Sequence, residues 1–175
     1  MFGLFGGSDS KVKIIDKVWM SKDAKWRACA SMLELNPTCV FIAWFEETRN
    51  ELAQVLGKEE SVQLAEKIDY ANLKDKMVVF AEHYPLPQRE QALFKSLNLK
   101  EVPIASSLDE PLFMKFGGER TIEIMKNIGM KEDEVIGHSM ITTSIRRAQE
   151  KLERNVKIEK LAVSSKEWFV LNIPH

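Results

Sequence analysis

From Cys39 to Phe45 the sequence reads CVFIAWF, seven apolar residues with no polar interruption. A strand with one wet face alternates apolar and polar side chains. An unbroken run describes a strand covered on both faces, as in a parallel sheet between helices. Met77 to Ala81 (MVVFA) repeats the pattern, and Val102 to Ala105 is a shorter core strand. Lys11 to Met20, with Val12, Ile14, Ile15 and Val18, reads as a first, irregular strand. Parallel neighbours need long crossovers, usually helices. The intervening segments supply them. Ser21 is placed to cap a helix with Trp26, Cys29, Ala30 and Leu33 on one face, stopped by Asn36-Pro37. Thr48 and Glu51 have capping-box spacing, and that helix closes at Gly57. Pro85 and Pro87 open another, with Ala92, Leu93 and Leu97 inward. Val62 to Ile68 fits a strand or a helix equally well.

The pattern changes after Ser107. Ser107 and Glu110 again have capping-box spacing, followed by Leu112, Phe113 and Phe116 on one helical face. Gly117 and Gly118 break this helix. A second is expected from Glu119 to Asn127, with Ile122, Met125 and Ile128 inward, and Gly129 stops it. Ile141, Ile145, Ala148 and Leu152 then form one stripe of a longer helix, expected to pack on the α/β body. Beyond Asn155, Val156–Val163 and Trp168–Ile173 flank Ser164-Ser165-Lys166-Glu167 and are expected to form a terminal β-hairpin. With that hairpin the chain reads as finished, not truncated. The expected organisation is a flexible glycine-rich tail over 1–10 and a single domain over 11–175. Within that domain 107–155 is helical and 156–175 is the hairpin. No internal repeat or linker divides it.

A net charge of −1 is not the basic excess that duplex binding calls for, so nucleic acid is disfavoured as a partner. No apolar run approaches the roughly 20 residues of a membrane helix. The first residues, MFGLFGGSDS, lack the basic start and apolar length of a signal peptide, although Phe2, Leu4 and Phe5 could touch a surface. Cys29 and Cys39 lie in apolar company and read as buried free thiols of a reducing, cytoplasmic compartment.

One stretch resembles a known family. Ser107-Leu108, Leu112, Phe116-Gly117, Glu119-Arg120, Gly129-Met130, Glu132, Ile136, His138, Met140, Ile145, Ala148-Gln149 and Lys151 resemble the SecA preprotein-translocase ATPase. They match the end of its second nucleotide-binding lobe and the start of its helical scaffold. Asp109-Glu110, Val135 and Gly137 depart from that pattern. Lys25-Trp26 and Asn50-Glu51 extend the resemblance less specifically. It implies a RecA-like α/β domain, akin to a helicase C-terminal lobe. The sheet is mainly parallel with helices on both faces, plus C-terminal helices and the hairpin.

The chemistry expected of such a lobe is missing. No G-x-x-x-x-G-K-[ST] segment occurs, though the resemblance places that loop in the first lobe. Where the resemblance implies an arginine-bearing loop, this sequence has Phe80-Ala81-Glu82-His83-Tyr84-Pro85. Where it implies a second, the sequence has Phe94 to Lys100. Lysine does not reproduce the five-donor fork of arginine. The leading expectation is therefore a SecA-like protein-interaction module without catalytic residues, cofactor or metal, and with a translocase-related protein as partner. His83, His138 and His175 show no ligand spacing, and Cys29 and Cys39 are not a close pair. His138 reads as a helix-cap or packing residue. The expected partner surface follows the buried strands: Trp44, Glu46 and Glu47 after the first, Glu82, His83 and Tyr84 after the second, with Arg89 nearby. A second reading makes Glu82, His83 and Arg89 the crevice of a small-ligand site or enzyme. A third makes the chain a nucleotide-binding lobe lent to a partner ATPase.

Overall fold

The computed structural model describes residues 10–137 and 139–173. The expectations for the N-terminal tail, His138 and His175 lie outside them. Five strands form one sheet: β1 (Lys13–Trp19), β2 (Cys39–Ala43), β3 (Val62–Leu64), β4 (Met77–Phe80) and β5 (Glu101–Ser107). Their order is β1-β5-β4-β2-β3 and every pairing is parallel. This is an α/β fold consistent with a RecA-like arrangement.

Period-two alternation assigns each strand residue to a layer. Cys39 and Phe41 of β2 and Val79 of β4 pack under α1 (Lys22–Leu35) and α2 (Glu46–Leu56), against Trp26, Cys29, Leu33 and Leu52. Val40, Ile42 and Phe80 point the other way, with Ile104 of β5. They meet Phe94 and Leu97 beside α4 (Pro87–Ser96) and Leu73 of the short α3 (Tyr70–Leu73). Cys29 and Cys39 are both buried and free, and burial pushes the thiols up to about 12 and about 11. The ambiguous Val62–Ile68 segment resolves as the three-residue β3 followed by a 3-10 turn.

A third apolar cluster sits over the carboxyl ends of the strands. Val18 and Met20, Phe45, Tyr84 and Leu108 issue from four of them. They are covered by α5 (Pro111–Lys115), α6 (Gly118–Asn127), α7 (Ser139–Asn155) and α8 (Ser165–Asn172). The stripe Ile145, Ala148 and Leu152 is buried here, with Ile141 against it. Gly118 sits where a Cβ would collide with the Leu108 carbonyl and the Phe113 backbone. Only glycine lets α6 approach so closely.

Several local expectations are corrected. The terminal hairpin is a helix. Ser164 accepts from the Glu167 N–H, and Glu167 accepts in turn from Val163 N. Ser164-Ser165-Lys166-Glu167 is therefore a helix start, not a turn. Asn172 then holds both backbone groups of Lys160, tying the irregular segment before Ser164 to α8. Ser107 ends β5 and is not the cap of α5, whose N-cap is Glu110: the Ser107 hydroxyl donates to the Glu110 carboxylate (3.3 Å), which also pairs with Lys25. Thr48 lies inside α2, whose N-cap is Phe45. Ile128 is 71% exposed, beyond the end of α6, and Ala92 is also exposed.

Candidate functional site

In open α/β sheets the ligand crevice opens between neighbouring strands whose connections leave in opposite directions. Here β2 leads outward to β3 while β4 leads back to β5, so the crevice lies between β2 and β4. Glu82 fills it. Its Oε1 accepts from the N–H groups of Trp44 (3.0 Å) and Phe45 (3.1 Å), and its Oε2 from the Thr48 hydroxyl (2.7 Å). The side chain that could have met a ligand instead satisfies the loop entering α2. Burial raises the Glu82 pKa to about 7, against the opposing pull of Lys25 and of the Thr48 hydrogen bond.

The next residue points elsewhere, as adjacent strand-end residues do. His83 lies between two carboxylates: Nε2 is 2.7 Å from Asp16 on β1, and Nδ1 is 2.8 Å from Glu90 on α4. Their side chains are 2%, 2% and 1% exposed for His83, Asp16 and Glu90. Burial alone would lower the His83 pKa. The Glu90 charge and the hydrogen bonds to both acids override it and push the group up to about 10. His83 is therefore an imidazolium held as a structural cation, with both ring nitrogens engaged. Burial likewise opposes ionisation of Asp16, yet the bond to His83 and its charge keep that pKa below the usual value. Gln149 of α7 closes the network, donating to Glu90 Oε2 (2.9 Å) and to the Tyr84 carbonyl (2.8 Å). Strand, loop and two helices are thus locked at one polar junction.

Tyr84 starts a second junction. Its ring packs between Trp44, Phe45 and Trp168, and its hydroxyl donates to Glu159. Glu159 also accepts from Trp168 Nε1 (2.7 Å) and pairs with Arg89 (2.7 Å). Burial, reinforced by Glu159, raises the Tyr84 pKa. A buried pair, Lys25 with Glu110, braces α1 against the start of α5, and Lys25 Nζ also donates to the Ala81 carbonyl (2.8 Å).

The expected surface residues therefore divide. Glu82, His83 and Tyr84 are buried and bonded internally, and Trp44 is half-buried among aromatic rings. Glu46 and Glu47 are exposed in the first turn of α2, and Arg89 is exposed at α4. Glu82 lies beside the β2–α2 loop, whereas His83 faces β1 and α4, so the two do not form one catalytic pair. Sequence reasoning missed Asp16, Gln149 and Glu159. Asp16 carried a usable signal: it falls two residues from both Ile14 and Val18, on the inward face of a strand.

The relatives that share a segment with this chain include translocase subunits named SecA. The protein from Chlorobium phaeobacteroides is 51% identical over 55 residues, 31% of this chain and 5% of that relative. Those from Flavobacterium psychrophilum and Christiangramia forsetii are each 51% identical over 49 residues, 28% of this chain and 4% of theirs. The partial homologues of this chain are SecA subunits. The chain spans only 5% or less of the length of these SecA relatives. No protein-family model matches it. Ser107–Lys151, the stretch whose residues resemble SecA, ends β5 and builds α5, α6 and most of α7, the layer over the strand ends. Among the described residues, no helix is long and apolar enough to cross a membrane. Nor does any group of three His, Cys, Asp or Glu stand ready to hold a metal among them.

Proposed function

We propose that this chain is a non-catalytic, SecA-like interaction module that acts with protein-translocation machinery in the cytoplasm. The observation that carries this reading is the closed crevice. Glu82 occupies the β2–β4 switch point, and the apolar cluster under α5–α8 covers the remaining strand ends. A nucleotide would have to displace a buried carboxylate and then sit beside its charge. A protein partner needs only an outer surface. Glu46 and Glu47 offer one in the first turn of α2, and Arg89 another at α4.

Two assays test the reading. Purified protein with ATP and magnesium releases phosphate at the buffer rate; turnover that follows the protein through two columns overturns the non-catalytic assignment. Glu46→Lys combined with Glu47→Lys inverts the exposed acidic turn without touching the buried network. In pull-downs from native cells the double variant loses a translocase component that wild type retains. Equal recovery of the same component places the contact on another face.

A further inference from the structure

Exposed apolar side chains gather in one stretch near the end of the chain. Ile158, Leu161 and Val163 are 86%, 72% and 57% exposed, and Val170 and Leu171 of α8 are exposed as well. Single exposed apolar residues are ordinary, whereas a run of them marks a contact surface. The backbone beneath this run is fixed. Glu159 is held by Tyr84, Trp168 and Arg89. Lys160 is held through both backbone groups by Asn172, which brings their chain neighbours, Leu161 and Leu171, to one edge. Val163 is tied on both sides. Its N–H donates to Glu167 (2.8 Å), and its carbonyl accepts from the Glu47 N–H at the start of α2 (3.1 Å). A contact made here would therefore not have to order the chain first, which removes one cost of binding.

The charges differ at the two ends of this strip. Lys157 and Lys160, both exposed, adjoin Ile158 and Leu161. At the other end Glu46 and Glu47 are exposed in the turn of α2 that binds Val163. We propose that this surface pairs with the same surface of a second copy of the chain. A two-fold interface needs a patch complementary to itself. A strip that is positive at one end, apolar in the middle and negative at the other meets that requirement when two copies run antiparallel about Leu161. Lys157 and Lys160 of each copy then meet Glu46 and Glu47 of the other, and Ile158, Leu161 and Val163 are covered between them. A partner of one charge sign would match only one end. These apolar residues and lysines lie beyond the stretch that resembles SecA. The proposal does not rest on the interaction-module reading. It is read on the pure protein, so a monomer would leave that reading standing, and a failed pull-down would leave the dimer standing.

The test is sedimentation equilibrium of the full chain from about 5 μM to about 1 mM, a range that covers micromolar to millimolar dissociation constants. Wild type is expected to show a concentration-dependent equilibrium between monomer and dimer. Leu161→Asp changes a side chain that the fold leaves exposed, and is expected to weaken the dimer at least about tenfold. Glu46→Lys with Glu47→Lys places like charges at both ends of the interface, as does Lys157→Glu with Lys160→Glu. Each double variant is expected to dimerise at least about tenfold more weakly than wild type. An equimolar mixture of the two double variants restores opposite charges at both ends, and is expected to associate within about threefold of wild type. Wild type that stays monomeric at about 1 mM overturns the proposal. So does a dimer that Leu161→Asp leaves unchanged, or a mixture that associates no better than either double variant alone.

Discussion

Replacing Glu82 by Gln should change how stability depends on pH. Glu82 titrates at about 7 in the folded protein and near 4.5 when exposed in the unfolded chain. Between those values the folded state holds a proton that the unfolded state has released. Stability from this group is complete below pH 4.5, falls as pH rises, and has reached its floor just above 7. The interval of about 2.5 units, at about 1.4 kcal/mol each, corresponds to about 3 kcal/mol. Glutamine cannot titrate. Its carbonyl can still accept from Trp44 and Phe45, and its amide can donate to the Thr48 oxygen. Urea unfolding of wild type and Glu82→Gln, stepped from pH 4.5 to 8, gives the two slopes. His83 also weakens the fold as pH rises from about 6.5 toward 10, but it does so in both proteins and cancels in the difference. The variant should therefore gain about 3 kcal/mol relative to wild type across the window. Parallel curves would show that Glu82 is not a buried, proton-binding plug, and the closed-crevice reasoning would fall with it.

His83→Ala leaves Asp16 and Glu90 facing each other across a cavity. It should cost about 3–5 kcal/mol in urea unfolding at pH 7, whereas a loss under 1 kcal/mol would mean that the imidazolium is dispensable. Ile145→Asp puts an unpaired charge beneath α7 and should cost several kcal/mol. An unchanged melting temperature in a stable monomer would place α7 in solvent. Gly118→Ala must push the Leu108 carbonyl or the Phe113 backbone aside, and should lower stability by about 1–3 kcal/mol in the same assay. No measurable loss would show that α5 and α6 have room to separate.

The sheet was legible because its signal is local. Cys39–Phe45 and Met77–Ala81 are apolar on both faces, and only a covered, parallel arrangement uses both. Gly57 and Asn36-Pro37 closed their helices where expected for the same reason. The terminal helix was misread because Ser164-Ser165-Lys166-Glu167 serves a turn or an N-cap equally well. The contact that decides between them, Asn172 clasping Lys160, is set by the tertiary structure. The site was half legible. Position after a buried strand correctly placed Glu82 and His83 at the strand ends. That position could not reveal that Thr48 would turn inward to meet one, or that Asp16, 67 residues away, would meet the other. A charged side chain at a sheet edge looks the same in sequence whether it awaits a ligand or satisfies its own backbone.

The strand order has a consequence for how the chain is made. Among the five strands β1 pairs with β5 alone, apart from a single bridge of Val18 to Ile136 further along the chain, and Lys13 lies opposite Glu101, 88 residues later. At about 5–20 residues per second, a ribosome completes β5 roughly 4–18 s after β1. Through that interval Ile14, Ile15, Val18 and Trp19 have no strand to pair with, while β2, β3 and β4 can already assemble. Nascent chains thus pass through a period in which an apolar segment near the amino terminus is open to chaperones or to aggregation. Slowing translation between β1 and β5 would lengthen that exposure, whereas slowing it beyond β5 would not.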